Sequence, residues 1–217
     1  KESNYDGQKF NIRRELAELS AIQDLPSAEI RLVDKVWQKI EPHHSRQITK
    51  NDILEVFDVT DINDFFPVPP NFETLTTDYV DRSQQSEIIN EICCQSNPIV
   101  IKAAGGLGKS TLSSHMSKLF EAINTHNVVV AYDCFGNGRY RQPSEKRHSL
   151  KNMVVQVINE LAVKDLCLQI IPTRNEPDDQ WIKTFLNRLK DVCEKLSAID
   201  KQALLIIVFD AADNAMM

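Results

Sequence analysis

The segment AAGGLGKST, residues 103 to 111, places three glycines, a lysine and two hydroxyl side chains within nine positions. Glycines allow the backbone to curl so that its N–H groups converge on an anion, while a lysine and a hydroxyl beside the curl suit terminal phosphates and Mg²⁺. The spacing matches the phosphate-loop pattern G-x-x-x-x-G-K-[ST], except that Ala103 stands where the pattern has its first glycine. The alternative is a glycine turn beside an exposed lysine.

The phosphate-loop interpretation gives each residue a separate role. Lys109 would contact the β- and γ-phosphates, Ser110 would ligate Mg²⁺, and Thr111 would lie near the α-phosphate. The remaining nucleotide-binding residues form the curl itself: Gly105, Gly106, Leu107 and Gly108. A strand-like run before the loop and a helix-like run after it favour this interpretation over the glycine turn.

A second acidic segment supports the same chemistry. In LLIIVFDAADNA, an apolar run ends on Asp210, and Asp213 follows three positions later. Mg²⁺ keeps several waters and needs a carboxylate to orient them. We expect Asp210 to act on Mg²⁺ directly or through water, and Asp213 to polarise the attacking water. The predicted catalytic residues are therefore Lys109, Asp210 and Asp213, although Asp210 alone could be a solvated strand end.

The elements that would hold these residues alternate between helix and strand. Residues 82–95, 109–125, 149–163 and 178–196 have helical periodicity, whereas PIVIKAA, NVVVAYDCF and ALLIIVFD read as buried strands. Strands that are apolar on both faces are typical of parallel sheets covered by helices. The fold class is thus α/β, with a parallel sheet flanked by helices and an incomplete core.

A small helical region precedes this unit. Residues 1–66 predict three short helices, the third beginning with a capping box between Thr49 and Asp52. The prolines of FFPVPPNF then favour a break. We divide the chain into a helical region (1–66), a linker (67–82) and the first part of the core (83–217).

Composition narrows the class of protein. The net charge of -6 disfavours a dedicated nucleic-acid binder, and no apolar run reaches the length of about 18 residues that a membrane-spanning helix needs. The five cysteines lack zinc spacing, so we expect reduced thiols in a cytoplasmic protein. No metal is assigned to His43, His44 or His115.

A basic loop follows the second predicted strand. It is either a solvated loop or a contact for phosphates or an acidic partner surface. Its basic side chains are Arg139, Arg141, Lys146, Arg147 and His148.

The order YVDR, AAGGLGKST and FDAADNA resembles the STAND class of P-loop signal-transduction ATPases, relatives of NACHT and NB-ARC proteins. Within that class, VVVAYDCFGNGRYR and RHSLKNMVVQVINELA are most similar to the prokaryotic antiviral, Avs-type proteins. The resemblance covers about residues 72 to 217. It implies a P-loop NTPase fold that binds ATP and Mg²⁺.

The resemblance also implies an adenine pocket and a mode of action. Residues 67–82 would be the linker and base-covering segment, and residues 1–66 a helical linker or the end of an upstream effector region. The pocket would be lined by Tyr79, Val80, Asp81 and Arg82, unless this segment is only a linker turn with a helix cap. ATP-driven closure would assemble a homo-oligomer and activate an effector when regions outside this chain sense a phage protein. Asn214 replaces the family's glutamate, which leaves the hydrolytic rate open, and we expect weak hydrolysis by the isolated chain.

Apolar contacts in the helical region would transmit closure to the effector or simply pack. The residues considered are Trp37, Ile40, Val56 and Phe57. Two other functions remain open at this point: a metabolic P-loop kinase or transferase, and an ATP-binding scaffold without turnover.

Overall fold

The computed structural model describes residues 25–40, 47–72, 79–80, 82–95, 97–142, 145–172 and 177–213. Several sequence predictions lie outside these residues. They are the first predicted helix, at residues 10–22, and the assignments made for His43, His44, Asp81 and Asn214.

The described chain is a mixed α/β structure in which helices precede and surround a short sheet. Short 3-10 turns occur at Ile62–Phe65 and Gly136–Arg141. The helices and strands are α1 (Leu25–Ile40), α2 (Lys50–Val56), α3 (Ser83–Cys94), α4 (Lys109–Ile123), β1 (Val128–Asp133), α5 (Leu150–Val163), α6 (Asp178–Ile199) and β2 (Leu205–Asp210). Among the described helices, none combines the length and apolar character that crossing a bilayer requires.

The sheet consists of β1 and β2, which pair in parallel from Val128 opposite Leu205 to Asp133 opposite Asp210. Alternate residues of each strand face opposite sides. Val130 and Tyr132 join the core formed with α5 and α6, whereas Ile206 joins Met116 and Phe120 of α4. Helices therefore cover both faces, as the two-sided apolar runs predicted, and the chain between β1 and β2 returns through α5 and α6.

The prediction of a buried strand at PIVIKAA is wrong for the described structure. Residues 98–104 have no strand assignment, and the side chain of Val100 is 74% exposed. In the described part of the chain, the sheet contains β1 and β2 alone, and neither of them pairs with residues 98–104. An apolar run reports a preference for extended structure but not the presence of a neighbour that can satisfy its backbone hydrogen bonds.

The capping box at the start of α2 is confirmed. The backbone N–H of Asp52 donates to Oγ1 of Thr49, and the N–H of Thr49 donates to Oδ2 of Asp52. Helix α1 packs on α2, with Arg31 Nε donating to the carbonyl oxygen of Val56 over 2.8 Å. Val56 is buried as expected, but Trp37 is 65% exposed and contributes little to this packing.

The buried face of α6 differs in part from the predicted one. Ile182 and Leu186 belong to the apolar face that the periodicity of residues 178–196 predicts, yet both are exposed. Trp181 and Arg188 are buried instead: Trp181 belongs to the hydrophobic core, and Arg188 Nη1 lies 3.4 Å from Oδ2 of Asp191. The spacing of apolar residues alone therefore predicts a buried face of α6 that differs from the observed one by about one position.

Candidate functional site

The glycine loop is an open curl at the N-terminus of α4. Gly108 is the N-cap with φ of 81°, and Gly106 has φ of 76°, conformations that glycine adopts without the steric cost of a side chain. A Cβ atom added to Gly105 or Gly106 would meet nothing within 4 Å, so the space beside these two residues is open. The first N–H groups of α4 lack partners within the helix and carry its positive dipole end, which suits an anion.

Lys109 occupies the first position of α4 and folds back over the loop. Its Nζ donates to the carbonyl oxygens of Ala103 and Ala104, over 2.6 Å and 3.1 Å. The ammonium group therefore lies against the curl rather than extending into solvent. A phosphate that entered the curl would offer this ammonium a charged acceptor in place of two neutral ones.

A cavity of about 620 Å³ lies on one side of the loop. This volume falls within the range of small-molecule sites. Three apolar side chains, Ile88, Ile101 and Leu112, contribute walls that suit a flat, weakly polar ring. The structure brings the described residues that were predicted to cover a base together with the loop in this cavity: Tyr79, Val80, Arg82, Leu107, Gly108, Lys109 and Thr111.

Arg82 connects the base-covering segment to the glycine loop. Its Nη1 donates to the carbonyl oxygen of Leu107 over 2.8 Å, and a Cβ on Gly108 would lie 3.5 Å from its Nη2. Arg82 is also the N-cap of α3, but its side chain makes no capping hydrogen bond there. The described contacts of its side chain are thus with the glycine loop.

Tyr79 stacks on His115 of α4, with ring centroids 4.0 Å apart and an interplanar angle of 18°. The Nδ1 atom of His115 lies 2.9 Å from the carbonyl oxygen of Thr111. Ser114 Oγ lies 3.1 Å from the same nitrogen, so Nδ1 has two polar neighbours on α4. The sequence assigned His115 no role, although its position four residues after Thr111 places both on one face of the helix.

A smaller cavity of about 270 Å³ lies on the strand side of the loop. Ser110, Thr111 and Asp210 all line it, so the structure brings the two predicted Mg²⁺ ligands to one cavity. The Oδ1 atom of Asp210 also accepts a hydrogen bond from Oγ of Ser113 over 3.2 Å. Asp213 is exposed in the turn after β2 and does not line this cavity.

The donor set fits Mg²⁺ only when phosphate and water complete the coordination. In the described part of the chain, no group of three or more His, Cys, Asp or Glu side chains is placed to hold a metal ion. Ser110 and Asp210 supply oxygen atoms, which Mg²⁺ prefers, and Mg²⁺ in proteins keeps several waters. The site therefore suits an ion that arrives with a nucleotide rather than one that is resident.

The sequence analysis missed Asp133, which also lines the smaller cavity and is paired in register with Asp210. Its Oδ1 accepts the N–H groups of Phe135 and Gly136, and its Oδ2 accepts the N–H of Asn71. The sequence contained a sign of this residue in AYDCF, where an acidic residue ends an apolar strand, as Asp210 does. Its carboxylate is committed to backbone donors.

Arg147 differs in burial from the other basic residues of its loop. The sequence predicts a loop that is solvated or that contacts phosphates or an acidic partner surface. The side chain of Arg147 is 1% exposed and donates from Nη1 to the carbonyl oxygen of Asp133 over 2.9 Å. The other residues behave differently, since Arg139 is half-exposed and pairs with Glu145, and Arg141 lies over the ring of Tyr140. Composition alone does not distinguish a buried arginine from exposed ones.

Comparison with known proteins gives one positive result. No curated protein matches the chain. A family profile described as Nephrocystin 3, N-terminal, matches residues 81–216, which is more than half of the chain and includes the glycine loop, both strands and Asp210. The chain therefore belongs to the Nephrocystin 3 N-terminal domain family.

Proposed function

We propose that this chain is an ATP-binding module of the STAND type, with a P-loop NTPase fold in which the glycine loop holds the phosphates. The observation that carries the proposal is the placement of one open curl, at the N-terminus of α4, between two cavities of different character. The apolar-walled cavity suits the base and the smaller, acidic one suits Mg²⁺. Thr111 lines both, as a residue beside the middle of a nucleotide would.

Each residue of the site then has a defined task. The N–H groups of residues 105–111 would bind the phosphate oxygens, and Lys109 would exchange its bonds to Ala103 and Ala104 for the β- and γ-phosphates. Tyr79, Val80 and Arg82 would cover the base. Bound Mg²⁺ would neutralise phosphate charge, with Ser110 and Asp210 as its protein contacts.

The proposed biological role is a switch in prokaryotic antiviral defence. The family is associated with NACHT-type STAND proteins, and the loop and strand motifs resemble those of the antiviral subgroup. A ligand shifts a conformational equilibrium only by its difference in affinity for the two states. ATP would favour a closed form that assembles into a homo-oligomer and activates an effector, once other regions sense a phage protein.

The main alternative, a metabolic kinase, needs an acceptor site with a base. Asp133 is the carboxylate best placed for that task beyond Asp210, because it lines the smaller cavity. Its oxygens already accept three backbone N–H groups, which occupy lone pairs that a base would use. This arrangement favours the switch over the kinase.

Slow hydrolysis is part of the proposal. Among the residues that the structure describes, the side chains that line the smaller cavity include two carboxylates and no basic group. In phosphoryl transfer, the absence of an arginine at the transferred phosphate costs about 10³ to 10⁵ in rate. We expect single-turnover hydrolysis by the isolated chain to be very slow.

The decisive experiment is calorimetric titration of the chain with ATP, ADP and GTP, each with and without Mg²⁺. Saturable binding of ATP that strengthens with Mg²⁺ supports the proposal, and the absence of any nucleotide binding overturns it. Single-turnover measurements on the same samples separate the switch from a scaffold that never hydrolyses ATP. The mass of the full-length protein, with ATP and a phage-infected lysate together and separately, tests assembly: a larger species should require both.

A further inference from the structure

Residues 65–72, here called the strap, connect the N-terminal helices with the segment before α3. Four hydrogen bonds described below join the strap to the core. Two of these bonds involve α5, where Asn159 Nδ2 donates to the carbonyl oxygen of Phe65 over 2.8 Å, and Gln156 Oε1 accepts the N–H of Val68 over 3.0 Å. The side chain of Val68 is fully buried in the core. The strap is thus part of the packed structure and not a loose linker.

The other two bonds use the charged cluster at the end of β1. Arg147 Nη2 donates to the carbonyl oxygen of Pro69 over 3.0 Å, and the N–H of Asn71 donates to Oδ2 of Asp133 over 3.1 Å. At its far end the strap reaches the smaller cavity, which Asn71 and Phe72 line together with Ser110 and Asp210. One wall of the proposed Mg²⁺ and phosphate site is therefore made by the strap.

Arg147 connects the members of this cluster. Its guanidinium contacts the strap through Pro69, β1 through the carbonyl oxygen of Asp133, and Glu145 through Nε and Nη2. The carbonyl oxygen of Arg147 itself accepts the hydroxyl of Tyr132 over 2.7 Å. A buried charge is tolerated only when it is paired and hydrogen-bonded, and the planar, five-donor guanidinium can satisfy several partners at once.

The loop after β1 is shaped around this side chain. Gly136 has φ of +56°, and a Cβ atom at this position would come within 2.1 Å of Arg147 Nε and 2.5 Å of its Cζ. Any larger residue at position 136 would therefore displace the guanidinium from its partners. This gives a way to move Arg147 without changing it.

We propose that Arg147 is a positioning residue of the nucleotide site: it holds Asp133 and the strap in the arrangement that forms the wall of the smaller cavity. The inference rests on the proposed function, since it assigns a regulator to the same site. Because the strap forms part of this wall, binding of Mg²⁺ and ATP is coupled to the order of the strap. The strap also leads back along the chain to α2. The strap is the route by which the nucleotide state reaches the N-terminal helices.

The test uses Gly136→Ala, Arg147→Lys and Glu145→Gln in the full chain, with Arg141→Lys as the matched control on an exposed arginine of the same loop. Two quantities are measured: the affinity for ATP with Mg²⁺, and the amide hydrogen exchange of Val68 and Asn71 with and without the nucleotide. The amide of Val130 in β1 reports on the core. Circular dichroism identifies any variant that fails to fold. Glu145→Gln keeps an acceptor for Arg147 but removes its charged partner, so it should lose the same protection and keeps the test open if the other variants fail to fold.

In the wild type, ATP with Mg²⁺ should slow exchange at Val68 and Asn71. In Gly136→Ala and Arg147→Lys, this protection should be lost while Val130 stays protected, and affinity should fall about ten-fold, as expected if only about one molecule in ten has the strap in place. The control should match the wild type. A purely structural role would lower stability without removing the nucleotide-dependent change at the strap.

The outcomes separate the two proposals. If the wild type binds no nucleotide, both the proposed function and this inference fall. If the wild type binds ATP but the strap amides do not respond, or if the variants keep wild-type affinity and protection, only the inference is overturned.

Discussion

The Nζ of Lys109 donates a hydrogen bond to the carbonyl oxygen of Ala103 over 2.6 Å, so the lysine of the glycine loop binds the backbone of its own loop. A second bond goes to Ala104 over 3.1 Å. Both acceptors are neutral, and a phosphate oxygen is a stronger partner for an ammonium group. The side chain is already at the curl and needs only a local change of partner to meet an anion there.

Replacing this lysine tests the assignment of the loop. Lys109→Ala should weaken ATP binding about ten-fold or more, because a hydrogen bond to a charged group contributes about 1.5 to 3 kcal/mol. Lys118→Ala removes an exposed lysine from the same helix and should leave the affinity unchanged. Equal affinities for both variants and the wild type in calorimetry would remove the loop from the site.

Asp210 and Asp213 should differ in their response to Mg²⁺. Asp210→Asn keeps an oxygen that can accept from Ser113 but loses the charge that faces the smaller cavity. Much of the ATP binding should remain, and the gain in affinity on adding Mg²⁺ should disappear. Asp213→Asn, at an exposed position outside the cavity, should keep that gain. Loss of the Mg²⁺ effect in Asp213→Asn but not in Asp210→Asn would reverse the assignment.

The thiol of Cys134 should be unreactive at neutral pH. Burial, followed by the nearby carboxylates of Asp133 and Asp210, raises the pKa of Cys134 to about 11. At pH 8 about a thousandth of this thiol is ionised, and the thiolate is the nucleophile. Alkylation followed by mass spectrometry should modify the exposed Cys93 and Cys94 well before Cys134. Modification of Cys134 at a comparable rate in the folded protein would show that the end of β1 is open.

The stability of the N-terminal helices should decrease in acid. Hydrogen bonds from Thr49 and the ammonium of Lys39, at 3.0 Å, hold the pKa of Asp52 well below its usual range. A carboxyl whose pKa is lowered by folding stabilises the fold above its unfolded pKa, near 4, and this contribution is lost as pH falls through the lower, folded value. Thermal unfolding followed at decreasing pH should show this loss.

Asp52→Asn isolates the contribution of that charge. It should lower the melting temperature at pH 7 and flatten the acid dependence. Glu55→Gln removes an exposed partner of Lys35 and should change the melting temperature little, since exposed ion pairs contribute about 0 to 1 kcal/mol. A wild-type acid profile in Asp52→Asn would contradict the role of the carboxylate.

Much of the local structure could be predicted because it depends on neighbours in the sequence. Apolar positions at three- and four-residue spacing located α3, α5 and α6, and two-sided apolar runs located β1 and β2. The capping box at Thr49 and Asp52 is likewise a relation between residues three positions apart. The prediction of a strand at residues 98–104 was wrong because a strand also requires a neighbouring strand to pair with, and periodicity does not report one.

By itself, then, the sequence determined the α/β class, helices α3 to α6, strands β1 and β2, and the pairing of Ser110 and Asp210 as candidate Mg²⁺ contacts, because each depends on local spacing. Only the tertiary structure revealed the buried Arg147 and its contact with Pro69, 78 positions away, and the bond from Asn71 to Asp133, 62 positions away. It also showed that Asp213 does not line the smaller cavity and that Tyr79 stacks on His115. These arrangements depend on which surfaces the packed core brings together, and a buried charge is stable only where distant backbone groups converge to satisfy it.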